Sequence, residues 1–478
     1  MMKESISRRT FLKSTAIAGA IGATGMGSAS VLTSCNSAAT GGAAADVPLK
    51  KPGEYYIPEL PDLATDGQEL KAGVIGCGGR GSGAAFNFLA AANGVTITAL
   101  GDTFKDRVDD LAGKLKEKNG IDIPADKRFV GLDAYKQVID SGVDVIITAT
   151  PPNFRPLVFQ YAVEKGKHCF LEKPLFVDPV GYRTVIAAAK QAQAKGLKVV
   201  TGTQRHHQRS YVASYQKVMD GAIGEITGGT VWWNGGMLWY KDRQPGWSDC
   251  EWMIRDWVNW IWLSGDHIVE QHVHNLDVWT WFTGLKPVSA TGFGSRQRRV
   301  TGDQFDNFSI DFELENGIHL HSMCRQVEGT ASNVSEFIQG TKGSWCTTNG
   351  HVIKNLKGEV IWQYDAEAEK ATYQQTDPYT LEHVNWINCI RGNKPIEQAS
   401  ETALANMYAL MGRESAYTGA KTTWDELTAS TLSLYPEDID LAKPMAYAKQ
   451  GYGSGKEYHL PDYIHIAGKP SPGSAQKR

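Results

Sequence analysis

The chain has 478 residues, 42% hydrophobic and 21% charged, which allows roughly two to three domains with a sizeable core and excludes a disulfide-stapled miniature or a disordered chain. Its 49 Lys plus Arg are interspersed with 52 Asp plus Glu for a formal net charge of -3. No basic stripe or RNP-type signature marks a partner in nucleic acid.

The N-terminus reads as targeting. Ser7-Arg8-Arg9-Thr10-Phe11-Leu12-Lys13 precedes a run of Ala, Gly and Ile too glycine-rich for a stable membrane span. It resembles a twin-arginine signal, and Leu32-Thr33-Ser34-Cys35 resembles a bacterial lipobox, whose cysteine becomes the lipidated first residue. An ordinary cleaved leader is the alternative. The lipobox implies an exported protein on the periplasmic side or in the cell envelope, anchored through Cys35. Residues 1–34 are thus a signal and 35–68, rich in Ala, Gly and Pro, a linker. The other cysteines are widely spaced without a CxxC pair, which argues against a disulfide framework or structural zinc.

From residue 69 the grammar changes. Leu70 to Ile75 is a short apolar strand, Ala84 to Ala91 a helical run and Val95 to Leu100 a second strand. Val143 to Thr150 is a β-branched run of the kind covered on both faces in a parallel sheet, and it stops at Pro151-Pro152. His168 to Leu171 is another strand; Asp178-Pro179 caps the next helix and Gly196 ends it. Strands alternating with helices over 69–205 predict a doubly wound α/β Rossmann domain. Residues 206–430 read as an α+β domain with an open, mostly antiparallel sheet: Phe308 to Leu314 and Ile318 to Cys324 pair across Glu315-Asn316-Gly317, Thr341-Lys342-Gly343 turns a second hairpin, and Glu401 to Thr418 is a closing helix. Residues 431–478 form a C-terminal extension.

Gly76-Cys77-Gly78-Gly79-Arg80-Gly81 fits GxGxxG between a strand and a helix. Gly76 makes the tight turn, Gly78 and Gly79 let the backbone approach a pyrophosphate, and Gly81 lets helix and strand pack closely, with Arg80 beside the anion. Asp102 ends the next strand, placed to accept hydrogen bonds from the adenosine ribose. A carboxylate there repels a 2′-phosphate and favours NAD over NADP, a preference that Lys105 and Arg107 weaken. Twin-arginine export carries folded proteins, which suggests that the cofactor is tightly held.

GVIGCGGRG, the run ending ATPPNF, then LEKP and VHNLD, in that order, resemble the Gfo/Idh/MocA oxidoreductases from about Leu70 to about Asp425. The resemblance implies NAD(P)-dependent oxidation or reduction of sugars and cyclitols, cofactor contacts at Thr150, Pro151, Asn153 and Glu172, and assembly as a homo-oligomer. Lys173 matches the family's signature lysine and His274 its acid/base histidine. Hydride transfer from a carbinol needs a base for the hydroxyl proton and a cation for the developing alkoxide, and a histidine and a lysine meet that need.

Gly265 to Gly284 reads as one helix, on which Glu270 and His274 share a face with Asp277 one turn on. The family has aspartate where Glu270 stands, so Glu270 either contacts substrate or orients His274. His267, His272 and His274 with Glu270 lack HExxH spacing, and no metal is expected. Gln204-Arg205-His206-His207 follows the last strand of the first domain, where such sheets bind ligands; Gln204, Arg205 and His206 are candidate substrate contacts, as is Asp277. Eight of the 14 tryptophans fall between Trp232 and Trp262, to cover sugar rings or to fill an interdomain core or interface.

The reading is therefore an NAD-dependent dehydrogenase of a sugar or glycoside secondary hydroxyl, C3 being a candidate, with Lys173 and His274 handling the proton. The alternatives are an NAD-dependent glycosidase with transient redox and a non-catalytic sugar-binding or sensing lipoprotein.

Overall fold

The computed structural model describes residues 49–50, 54–299, 301–436 and 439–441, with short strands at Gly451–Tyr452 and Lys456–Glu457. The leader, Cys35 and the first part of the linker lie outside the described residues. The distal part of the linker lies against the body: Ala64 N–H donates to Ala91 O at 2.8 Å and the Tyr56 hydroxyl to Asn385 at 2.8 Å. Among the described residues no helix is long and apolar enough to cross a membrane.

The first sheet has six parallel strands, β1 (Leu70–Ile75), β2 (Val95–Asp102), β3 (Arg128–Val130), β4 (Val145–Thr148), β5 (His168–Leu171) and β6 (Val199–Thr201), ordered β3-β2-β1-β4-β5-β6. Every residue of β4 is buried, as expected for a strand with helices on both faces. The order reverses beside β1, so a crevice opens at the carboxyl ends of β1 and β4. Helix Pro179–Ala194 starts where expected, with the Asp178 carboxylate accepting from Gly181 N at 2.7 Å.

The second sheet is mixed. Its strands are β7 (Ile226–Gly235), β8 (Pro287–Ser295), β9 (Asn307–Leu314), β10 (His319–Gln326), β11 (Asn333–Gly340), β12 (Gly343–Cys346), β13 (Val352–Asn355), β14 (Val360–Gln363) and β15 (Thr422–Thr423), ordered β14-β13-β12-β11-β7-β10-β9-β8-β15. Only the β7–β10 pair is parallel. Period-two burial sets its inner face: Phe308, Ile310, Phe312 and Leu314 of β9 and Leu320 and Cys324 of β10 are buried. Helices Val273–Thr283 and Ala399–Thr418 contribute Leu276, Trp279, Met407 and Tyr408 to that core. Helix Pro378–Arg391 instead packs on the first domain, Trp386 and His383 lying against Phe88 and Phe170.

One expected element is broken. The segment from Gly265 to Gly284 forms two helices, His267–Glu270 and Val273–Thr283. Asp266 takes φ 81°, and its carboxylate accepts from His267 N–H, starting a separate short turn. A continuous helix would bond His274 N–H to Glu270 O; here that N–H goes to Gln271 O at 3.2 Å. The Glu270 carbonyl is left outside the helical ladder, which matters for the site.

Candidate active site

The glycine loop follows β1 directly. Gly76 has φ 87°, and a Cβ there would lie 2.7 Å from the Ala149 carbonyl carbon; a Cβ on Gly81 would lie 1.7 Å from Gly76 O. Both glycines are needed for turn and packing. Gly79 has nothing within 4 Å of its missing Cβ, so its smallness serves what lies outside the loop. Helix Gly79–Ala91 has neither a side-chain cap nor an acidic residue in its first turn, and its first N–H groups are free for an anion. These features fit a dinucleotide pyrophosphate.

The crevice beside the loop has a volume of about 580 Å³, and Gly76, Gly78, Gly79, Arg80, Asp102, Thr150 and Pro151 line it. Its other wall comes from outside the Rossmann unit: Trp239, Lys241, Ile254 and Trp257, then Tyr435, Pro436 and Ile439. Arg255 fastens the first of these segments through two 3.0 Å bonds to Asp106 and by lying 3.8 Å over the Phe104 ring. Asp178 Oδ2 fastens the second, accepting from Leu434 N at 2.7 Å. Cap and roof therefore share one residue, Asp178.

Asp102 does more than face a ribose. Its Oδ2 accepts from Cys77 N at 2.7 Å and its Oδ1 from Phe104 N at 2.9 Å, tying the glycine loop to the end of β2. Arg80 is similarly committed. It pairs with Glu172 and, at 3.1 Å, with the fully buried Glu382, a residue sequence reasoning missed. Burial opposes the Arg80 charge, and the two carboxylates outweigh it and hold the guanidinium above its ordinary range. Gly81 serves the loop's packing, while Asn153 donates to Trp262 O at 2.6 Å, joining the β4 turn to the tryptophan-rich segment.

Beyond Glu172 the chain places Lys173 against the helix break. Its Nζ donates to the freed Glu270 carbonyl at 2.5 Å and to Glu270 Oε1 at 3.1 Å, with Glu270 buried and Lys173 partly so. Of the two roles open to Glu270, orienting His274 has no bond behind it here: Oε1 accepts from Lys173 and the other oxygen from Gln271 Nε2 at 2.6 Å, so the carboxylate positions the lysine. His274 stacks on Trp233 of β7, with ring centroids 5.6 Å apart and planes 22° apart. Burial, followed by the Lys173, Arg205 and Arg80 charges, pushes its pKa well below the usual histidine range. That shift keeps the imidazole neutral and makes it a weaker base than an ordinary histidine.

The remaining candidates divide. Arg205 lies 5.8 Å over Trp233 and pairs with the buried Glu336, which also accepts from Asn275 at 2.6 Å and from Tyr211 at 3.1 Å. This buried network beside His274 went unread in the sequence, although an acid in the middle of an apolar strand is its signal. Gln204 has a buried Oε1 without a partner among the described residues. His206 and Asp277 bond each other at 2.8 Å and line a different cavity. His267 is held by Asp266 and His272 by Ser322 at 2.7 Å, so these histidines and His274 have separate partners. Of the tryptophans, Trp233 meets His274, Trp239 and Trp257 line the crevice, and Trp260 and Trp262 are core.

Residues 70–200 match the family model described as "Oxidoreductase family, NAD-binding Rossmann fold", and residues 211–346 match "GFO/IDH/MocA C-terminal domain". The chain is 22% identical over 338 residues to scyllo-inositol 2-dehydrogenase (NAD(+)) of Bacillus subtilis, covering 68% of this chain and 87% of that protein. It is 28% identical over 227 residues to a glycosyl hydrolase family 109 protein of Streptomyces coelicolor, covering 47% of this chain and 44% of that one. Among solved structures, scyllo-inositol dehydrogenase of Lactobacillus casei, with bound NAD(H) and scyllo-inositol, superposes with a TM-score of 0.56 at 19% identity, covering 74% of this chain and 99% of that one.

Proposed function

Because this chain belongs to the Gfo/Idh/MocA oxidoreductases, we propose that it interconverts a secondary alcohol and a ketone on a sugar or glycoside, with NAD as redox partner. The observation that carries the reading is a lysine ammonium fixed by the Glu270 carbonyl and carboxylate next to a neutral, buried histidine. In the oxidative direction His274 takes the hydroxyl proton. Lys173, unable to turn away from its two Glu270 bonds, keeps positive charge where the oxygen becomes anionic. Bound over the glycine loop, NAD would supply the hydride acceptor. Trp233 holds the His274 ring by stacking and lies under Arg205, so it positions both groups. C3 of a glycoside is the position proposed for oxidation, since a carbonyl there acidifies neighbouring C–H bonds and prepares the glycoside for elimination by a partner enzyme.

The wall formed by Trp239, Lys241, Ile254 and Trp257 with Tyr435, Pro436 and Ile439 supports slow cofactor exchange. The Cys35 lipobox and twin-arginine motif support export and anchoring at the envelope. Purified protein incubated with a methyl glycoside tests the reaction: stoichiometric NADH or a keto-sugar supports the dehydrogenase. Free sugar without net redox change supports the glycosidase reading, which the 28% identity to a glycosyl hydrolase family 109 protein favours. Ligand binding without either product supports the sensing role.

A further inference from the structure

Helix Val273–Thr283 and the turn Gln204–His207 each carry residues of two different places. His274 and Arg205 meet at Trp233. Asp277, Thr280 and Trp281, with His206, line a second cavity of about 530 Å³ that shares no lining residue with the dinucleotide crevice. Its mouth is walled by Lys50 and Tyr56 from the N-terminal segment and by Glu401 from helix Ala399–Thr418.

The cavity holds one buried carboxylate oxygen without a partner. Tyr215, 2% exposed, lines it. Asp277, also 2% exposed, gives Oδ2 to His206 and has no partner for Oδ1. Trp281 is flanked by the His206 ring at 4.2 Å and the Tyr215 ring at 4.5 Å, so the aromatic wall is fixed. Unmatched buried polar groups cost stability unless something completes them, and a cavity of this size is in the range of small-molecule sites.

Charge selects the ligand class. His206 balances Asp277; burial works against its proton, and the aspartate outweighs burial and raises its pKa. Burial, with Asp277 and Glu397 nearby, raises the Glu401 pKa against the His206 and Lys50 charges, while Glu397 accepts from Ser400 at 2.6 Å and Ala399 N at 2.7 Å, and Glu54 has its own partner. The lining carries four carboxylates, Glu54, Asp277, Glu397 and Glu401, against Lys50 and His206, so an anion is disfavoured. Among the described residues no group of three His, Cys, Asp or Glu could hold a metal. What is left is a set of hydroxyl, carboxylate and imidazole groups with Ile396 and Leu404 as apolar floor, which matches alternating O–H and C–H surface.

We propose that this cavity is a second binding site, for a neutral polyhydroxylated molecule of the monosaccharide or cyclitol class. The argument rests on the cavity and not on the oxidoreductase reading. The test is fluorine NMR of the full chain labelled with fluorotryptophan, with Trp281 and Trp233 assigned by Trp281→Phe and Trp233→Phe. Myo-inositol and methyl glucoside are the probes. The expected result is a saturable shift of the Trp281 signal, with a midpoint distinct from that of Trp233. Glu401→Ala and Tyr215→Phe each weaken it about tenfold while NAD binding and thermal melting stay as in the parent. A Trp281 signal unmoved by both probes, moved equally in both variants, or moved only by spermidine or citrate overturns the proposal. If Trp233 alone responds, the reaction site stands and the second site falls. If Trp281 alone responds, the second site stands and the proposed substrate class falls.

Discussion

Replacing Gly81 by alanine separates the two jobs of the glycine loop. The new methyl would sit 1.7 Å from Gly76 O and 2.9 Å from the Gly76 carbonyl carbon, with the Ala149 methyl 3.4 Å away. Unstrained contact needs about 3.5 Å, so helix Gly79–Ala91 must back away from β1 by roughly 1.5 Å or more. Both obstructing atoms are backbone, so no side-chain rotation relieves the clash. The cost belongs at the upper end of the ~1–3 kcal/mol for overpacking. Gly79→Ala is the control. Nothing lies within 4 Å of that methyl, and alanine is the better helix former by up to about 1 kcal/mol, yet the methyl enters the crevice. Urea unfolding of cofactor-free protein should show Gly81→Ala destabilised by about 3 kcal/mol and Gly79→Ala within about 1 kcal/mol of the parent. Calorimetric titration with NAD should show the binding defect in Gly79→Ala. An unchanged unfolding midpoint for Gly81→Ala, or equal destabilisation of the two variants, refutes the assignment.

Lys173→Met and His274→Ala should each lower kcat by about 10²–10⁴ and leave the NAD dissociation constant within a few-fold, as read by single-turnover kinetics and calorimetry. The Lys173 charge is one cause of the depressed His274 pKa, so Lys173→Met should move it upward towards the ordinary value; NMR titration of the imidazole checks the direction. Asp256, fully buried, has its carboxyl raised to about 7 chiefly by burial. The folded state therefore holds a proton that the unfolded chain has lost, and this contribution to stability disappears as pH rises through about 7. The loss between pH 6 and pH 8 is about 1.4 kcal/mol. Denaturant curves at the two pH values should show it in the parent and not in Asp256→Asn.

The first domain was legible because its cues are local. Alternating β-branched strands, capped helices and a glycine loop between strand and helix each lie within a short stretch, and β1 and β5 begin and end at the residues expected. The hairpin turning at Glu315-Asn316-Gly317 was legible for the same reason. The break after Glu270 was not, because it depends on Asp266 adopting a left-handed conformation that apolar periodicity does not register. Nor were the partners of Arg80 and Arg205: Glu382 and Glu336 lie 302 and 131 positions away. The roles of Glu270, His206 and Asp277 changed once those distant elements had packed.

The wall opposite the glycine loop includes Tyr435, Pro436 and Ile439, which leave the ribosome hundreds of residues after Gly76. The core of the nucleotide sheet itself waits for helix Pro378–Arg391, which covers Phe88 and Phe170, and the chamber waits for the residues after that helix. Capture of the cofactor becomes a late event in biogenesis, and a truncation just before Leu434 would yield a folded protein that lets its nucleotide go.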